Sequence, residues 1–265
     1  MARLVYCDGI LWGELMRAGL ANLALHKEHI NALNVFPIPD GDTGTNMLLT
    51  MRFACDKVNG GVAHAGEAAR VLAQGALLGA RGNSGVILSQ LWRGFAEIVA
   101  GHGQIDGVLF AKALRHSAEL AHKSVTDPVE GTILTIARAM ADSAETSSQT
   151  HNDFHTILTN VVTASKIALA HTPEQLPILK QAGVVDSGGQ GLVCIFEGML
   201  RWLDGDLTHV ALQSPMLNHA EPTSAQQLAR PASGVLTYPY DVQFILTGEN
   251  LNLAEIRDQI DRMGD

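Results

Sequence analysis

Asp40 and Asp42 stand one residue apart in the stretch Asn34-Val-Phe-Pro-Ile-Pro-Asp40-Gly-Asp42-Thr-Gly-Thr-Asn46. Carboxylates at i and i+2 on a tight loop can converge on one hard cation, and Asn34 offers a third oxygen. Pro37 and Pro39 fix the approach of the loop and lower the cost of holding two like charges together. The loop runs into an apolar helix whose first backbone N–H groups can meet an anion, with Thr45 and Asn46 as side-chain donors. A metal and a phosphate brought together in this way suggest phosphoryl transfer. A polar turn with solvated carboxylates explains the same spacing. An EF-hand does not, because Gly44 and Met51 stand where its fifth and twelfth positions need ligands.

Three further loops carry more Gly, Ser, Thr or Asp than a helical connector needs. Gly79-Ala-Arg-Gly82-Asn-Ser84-Gly85 lacks the Lys of a Walker A loop, and Val86 replaces the Gly of a G-x-S-x-G elbow. What remains is a turn presenting N–H groups and the Ser84 hydroxyl at a helix start, suited to an anion or simply to a tight interhelical turn. Thr126-Asp-Pro-Val-Glu-Gly-Thr132 opens another helix, and Asp186-Ser-Gly188-Gly189-Gln-Gly191 a fourth, with Asp186 or Ser187 as its N-cap.

The elements that must position these loops are helices. Apolar residues recur at helical spacing through Phe110, Leu114, Ala118 and Ala121, then through Ile133, Ile136, Ala137, Met140, Ala141 and Ala144. The same spacing runs through Phe154, Ile157, Leu158, Val161, Ser165 and Ala168, and through Leu192, Ile195, Phe196, Met199, Leu200 and Leu203. With helical stretches at 9–28, 44–58, 65–78 and 84–100, the pattern predicts an all-α domain of about eight amphipathic helices over residues 1–204. If they alternate up and down, loops separated by an even number of helices share one rim, a plausible composite site. Residues 205–235 read as a Pro-, Gln- and Ser-containing linker. Beyond it, Tyr238–Thr247 reads as a strand, and Asn252 with Glu255 as a capping box for a helix. Residues 236–265 are therefore expected to begin a truncated second domain, since one strand and one helix bury no core alone.

Composition removes several function classes. The chain has 265 residues, 46% hydrophobic and 17% charged, enough for a full core in one or two domains. Aromatics at 5% fit packed helices better than a β-sandwich. A net charge of −9 and no Lys or Arg run argue against a nucleic-acid partner. Cys7, Cys55 and Cys194 have no CxxC spacing and read as small core residues of a reducing cytosol. His151 and His155 are at i and i+4 but lack a third ligand, which disfavours zinc. No signal-peptide h-region or membrane span is legible, and a soluble cytoplasmic protein is expected.

Four ordered motifs resemble a known family: Asn34–Met47, Gly79–Gln90, Pro128–Thr135 and Ala182–Leu192. They look like the nucleotide-binding domain of the kinase component of fatty acid kinase, which is related to the L subunit of dihydroxyacetone kinase. The resemblance covers residues 1–204, and the segment after the linker resembles the start of that family's central domain. It implies an eight-helix antiparallel barrel with ATP and paired Mg²⁺ at one rim. Asp40, Asp42 and Asn34 would be metal ligands, Thr45, Asn46, Ser84 and Gly85 would meet the phosphates, and Thr132, Asp186 and Gly188 would line the nucleotide. In the dihydroxyacetone kinase branch a His follows the second motif Asp, and Thr43 stands there, favouring the fatty acid kinase branch. Tyr240 is followed by Asp241 where the family's central segment carries a Cys, so no role of that Cys transfers.

The expected activity is transfer of the γ-phosphoryl of MgATP to a fatty acid presented by an acyl-binding partner protein. A fatty carboxylate ionises at neutral pH and needs no base, and no residue here reads as a catalytic base or acceptor-binding group. Two alternatives stand beside it: phosphorylation of a small ketose held by a partner protein, and a non-catalytic nucleotide-binding regulatory module. A homodimer of the full-length protein is a further partner that the resemblance allows.

Overall fold

The structure, a computed structural model, describes residues 4–58, 61–206, 246, 248 and 251–262. The chain divides into two units, 1–214 and 215–265. In the first, eight long helices follow one another: α1 (Gly9–Ala32), α2 (Thr43–Lys57), α3 (Ala65–Gly79), α4 (Gly82–Val99), α5 (Gly107–Ser124), α6 (Ile133–Ser148), α7 (Phe154–Ala170) and, after two short helices, α10 (Ser187–Leu203). The short ones are α8 (Thr172–Gln175) and α9 (Pro177–Ala182), each with Pro in its first turn, where the missing N–H costs nothing.

Each long helix packs on its neighbours in sequence, and α10 closes the series by packing on both α7 and α1. The expected all-α barrel is therefore present as a closed ring. The apolar stripes read from the sequence face its interior: Ile133, Ile136, Met140 and Ala144 of α6 are buried, as are Phe154, Ile157, Leu158 and Val161 of α7. Aromatic rings fill the centre. Trp12 stacks on Phe95 with centroids 4.4 Å apart, and Phe110 meets Phe154 at 4.6 Å.

At the closing seam α1 and α10 approach backbone to backbone. A Cβ on Gly198 would lie 2.5 Å from the Ala18 carbonyl oxygen and 2.9 Å from the Gly19 Cα. The seam is tied by the Asn22 amide, which donates to the Cys194 carbonyl at 2.8 Å and accepts from Arg201 at 3.0 Å. Aspartates start several helices, with Asp8 accepting from the Leu11 N–H and Asp106 from the Leu109 N–H, both at 2.8 Å.

Two-residue strands, β1 (Cys7–Asp8) and β2 (Gln104–Ile105), pair antiparallel. They are too short to show a period-2 pattern, which is why the sequence reads as helix alone. In the second unit α11 (Leu253–Asp261) is capped as expected: the Asn252 side chain accepts from the Glu255 N–H at 3.3 Å. The expected strand Tyr238–Thr247 and most of the expected linker lie outside the described residues. No described helix is long and apolar enough to cross a membrane.

Candidate functional site

The α1–α2, α3–α4, α5–α6 and α7–α10 connections, alternate ones around the ring, meet at one cavity of about 430 Å³. Its polar wall is made by Asn83 and Ser84 at the start of α4, Thr132 at the start of α6, and Asp186, Ser187 and Gly188 at the start of α10. Its apolar wall is made by Phe36, Pro37, Ile87, Val125, Val129 and Leu134. Three helix N-termini thus open on one cavity, each offering N–H groups and the positive end of a helix dipole. A groove of about 470 Å³ between α3 and α4 holds none of the sequence candidates; its Arg70 and Arg93 are paired with Glu67 and Glu97.

The start of α2 stands beside this cavity, and one long-range bond fastens it there. The Ser187 hydroxyl donates to the Thr43 hydroxyl oxygen at 3.2 Å, both residues buried. Asp42 occupies the N-cap of α2 in helical conformation, and its side chain caps no N–H of the helix. Asp40 is exposed, two residues away across Gly41, whose φ of 70° turns the chain between them. Partial burial, then the neighbouring Asp42 charge, raise the pKa of Asp40. Two acids sharing a small space behave in this way, and a bound cation would reverse the shift.

Several sequence candidates have partners within the protein. Asn34 was expected to be a third oxygen ligand. It is buried, its amide donates to the Ile38 carbonyl at 3.0 Å, and its oxygen accepts from the Asp42 N–H at 3.2 Å. This closes the acidic loop. Thr45 is held at both ends by Asn31, whose oxygen takes the Thr45 N–H and whose amide donates to its hydroxyl, each at 3.1 Å. The Thr45 N–H is therefore already used within the protein. Asn46 packs against Gly82, where a Cβ would lie 2.3 Å from the Asn46 Nδ2 and φ is 59°. Gly85 faces Thr50, whose Oγ1 would lie 2.4 Å from an added Cβ. Ser84, Thr132, Asp186 and Gly188 line the cavity; Thr45, Asn46, Gly85 and the two loop aspartates are not in its lining, and α2 is tied to it through Thr43 and Ser187.

Asp186 is the buried acid of the site. Its carboxylate accepts from the Gly189 N–H at 2.6 Å, capping α10. Burial pushes its pKa up to about 6, against the lowering pull of the Gly189 and Ile133 N–H groups. Thr132 caps α6 more weakly, accepting from the Leu134 N–H at 3.4 Å while donating to the Val129 carbonyl at 2.7 Å.

Sequence reasoning missed Asn31 and the apolar wall. Asn31 looks like one more polar residue at a helix end, and its role needs Thr45 brought back 14 positions. Phe36 and Pro37, joined by a cis peptide bond, sit inside the quoted motif, but only the fold turns them into the cavity.

Comparison with known proteins decides the lineage. The DAK2 domain model matches residues 37–201, more than half the chain. The chain belongs to the DAK2 domain family. That match takes in the cavity lining from Pro37 onward, with Phe36 just before it. Protein YloV of Bacillus subtilis is 45% identical over 200 residues, covering 75% of this chain and 36% of its own. An uncharacterized protein of Staphylococcus saprophyticus is 42% identical over 212 residues, covering 80% of this chain and 38% of its own. The chain thus spans little more than a third of these DAK2 relatives' length. Its fold is similar to that of the dihydroxyacetone kinase from C. freundii in complex with AMP-PNP and Mg²⁺. That match has a TM-score of 0.56 at 16% identity, over 72% of this chain and 33% of the kinase.

Asn34 yields a first expected outcome. Asn34→Ala removes both ties of the acidic loop and leaves Asp40 and Asp42 in place. On the expectation that Asp40 and Asp42 are magnesium ligands, affinity for Mg²⁺, read by calorimetric titration in the presence of ATP, should fall about 10- to 100-fold, as for other residues that orient metal ligands.

Proposed function

We propose that this DAK2 domain binds MgATP in the rim cavity and transfers the γ-phosphoryl to the carboxylate of a fatty acid presented by an acyl-binding partner. The observation that carries the reading is the convergence of three helix N-termini on one half-apolar cavity, with the acidic loop of Asp40 and Asp42 leading into α2, which Ser187 ties to it. The N-termini suit phosphates and the apolar wall suits a nucleobase. The solved kinase of similar fold was crystallised with an ATP analogue and Mg²⁺, which supports the same ligands here. Residues 1–204 would form the nucleotide-binding domain, 205–235 a linker and 236–265 the start of a central domain.

The donor set fits magnesium. Among the described residues no group of three or more His, Cys, Asp or Glu could hold a metal ion. Magnesium does not need one, because it takes one or two carboxylates and completes its shell with water and substrate phosphate. Asp40 and Asp42 would hold it, with Asn34 keeping their loop closed, and two ions are the number that the family resemblance implies. When bound, the metal neutralises charge on the β- and γ-phosphates.

The chain's residues do the rest by position. Ser84 and the starts of α4 and α10 direct donors to the phosphates, while Val125, Val129 and Leu134 cover the base and exclude water. An acceptor carboxylate, ionised above about pH 4, forms a bond from its oxygen to the γ-phosphorus. The bond from that phosphorus to the bridging oxygen breaks, leaving acyl phosphate and ADP. No proton moves, so the site needs no base.

The likeness to dihydroxyacetone kinase favours a second acceptor, a small ketose on a partner protein. Thr43, occupied by Ser187, stands where that branch carries a His, which argues against it. Radiolabelled ATP with the full-length protein and an acyl-loaded partner should yield labelled acyl phosphate. Label appearing only on dihydroxyacetone with its own binding partner would replace the fatty acid reading. Label on neither acceptor, despite tight MgATP binding, would make the domain a regulatory nucleotide-binding module.

A further inference from the structure

We infer that Arg81 is the residue of this chain that meets the γ-phosphate of the bound nucleotide, an inference that rests on reading the rim cavity as a MgATP site. The argument begins with charge. Among the described residues the cavity lining holds two carboxylates, Asp127 and Asp186, and no lysine or arginine. Asp40 and Asp42 add two more acids beside it. Helix N-termini and a metal offset part of this field, and both act where the ligand is fixed. A transferring phosphoryl group spreads negative charge over its outer oxygens, which point away from the rest of the nucleotide.

Arg81 is placed to meet them. It is the N-cap residue of α4, two positions before Asn83 and three before Ser84, both of which line the cavity. Two Cα steps of about 3.8 Å bound the distance between Arg81 and that wall. Its backbone is extended, and the turn around it is fixed by contacts on either side. A Cβ on Gly79 would overlap Phe53, and one on Gly82 would overlap Asn46. Only the Arg81 side chain has to move.

That side chain is held by little. It is exposed and has no carboxylate partner among the described residues, whereas Arg17, Arg70, Arg93 and Arg138 each have one and Arg115 has two. Its guanidinium rests 6.0 Å from the centroid of the half-exposed Phe53 ring and gives one hydrogen bond to the adjacent Ala80 carbonyl. Both contacts are weak beside a guanidinium–phosphate pair, whose planar fork matches two phosphate oxygens at once. Arg52 and Arg201 also lack a carboxylate partner among the described residues. Arg52 lies more than two turns along α2, and Arg201 is held by Asn22 near the far end of α10. The unpaired arginine at the rim is Arg81.

Calorimetry on the full chain with Mg²⁺ tests this with two probes, AMP-PNP and ADP. Arg81→Ala should weaken AMP-PNP about 10- to 100-fold, the range of one charge-assisted contact, and leave ADP within about twofold. Arg81→Lys should recover part of the loss. Thermal unfolding of both variants should match the parent, since the side chain is exposed, and Arg81→Gln serves as a second neutral variant if Arg81→Ala folds poorly. Equal weakening of both probes, or none while the parent binds AMP-PNP, overturns the role of Arg81 and leaves the MgATP site standing. A parent protein that binds neither probe overturns the site and the inference together.

Discussion

Asp42→Ala is expected to fold as the parent does and, on the proposed reading of Asp42 as a magnesium ligand, to bind MgATP about 100-fold or more weakly, because that reading makes the lost carboxylate worth several kcal/mol of charge stabilisation. The fold should be spared for a specific reason. An N-cap aspartate is normally worth about 1 kcal/mol of helix stability, yet the Asp42 side chain caps no N–H of α2. The bonds that hold the start of α2 are elsewhere. Asn34 takes the Asp42 backbone N–H, which alanine retains, and Asn31 takes the Thr45 N–H. Removing one of two neighbouring like charges also relieves the repulsion that helps raise Asp40. Titration of ATP with and without Mg²⁺ should show a strong metal dependence in the parent and little in the variant. If both proteins bind MgATP equally well, Asp42 is a turn residue and the metal lies elsewhere.

Asp186→Asn should change how stability depends on pH. Asp186 is buried, and its folded pKa of about 6 lies above its ordinary value of 3.8. Between those values the folded state binds more protons than the unfolded one, so this group's contribution is full below about pH 4 and is lost as pH rises through 6. The shift of about two units, at 1.36 kcal/mol each, amounts to about 3 kcal/mol. Asparagine has the same shape, can still accept from Gly189, and carries no charge to bury. The variant's unfolding free energy relative to the parent should therefore rise by about 2 kcal/mol between pH 4 and pH 7. Urea titrations across that range measure it, and parallel curves for the two proteins would remove Asp186 from the pH response. A buried carboxylate that lowers stability at neutral pH, set in the wall of a cavity, is where a functional role is expected.

Much of this was written into local sequence. The helices declare themselves through apolar residues every three or four positions, and α6 and α7 bury the stripes so identified. Placing four loops on one rim needed only the alternation of eight helices, and the cavity is built from those four loops. What local pattern does not carry is pairing at a distance. Thr43 and Ser187 are 144 residues apart, and each alone is an ordinary small polar residue at a helix start. The same holds for Asn34: its type and place suggest a ligand, while its geometry makes it the clasp of the loop. β1 and β2 escape for a different reason, since two residues are too few for any periodicity.

The seam between α1 and α10 has a consequence for when the site exists. Asn22 and Cys194 are separated by 172 positions, so the contact that closes the ring is among the most non-local in the fold. Contacts of that kind carry a large closure cost, because the chain between them must lose its freedom. The cavity straddles the same closure, since α10 supplies one wall and holds α2 through Ser187. A half-assembled ring therefore has no complete pocket, and the proposed nucleotide site exists only in the finished topology. A nucleotide at 100 times its Kd would add about 2.7 kcal/mol to the closed form alone. On the proposed reading of the cavity as a MgATP site, the nucleotide would act as the latch of the barrel.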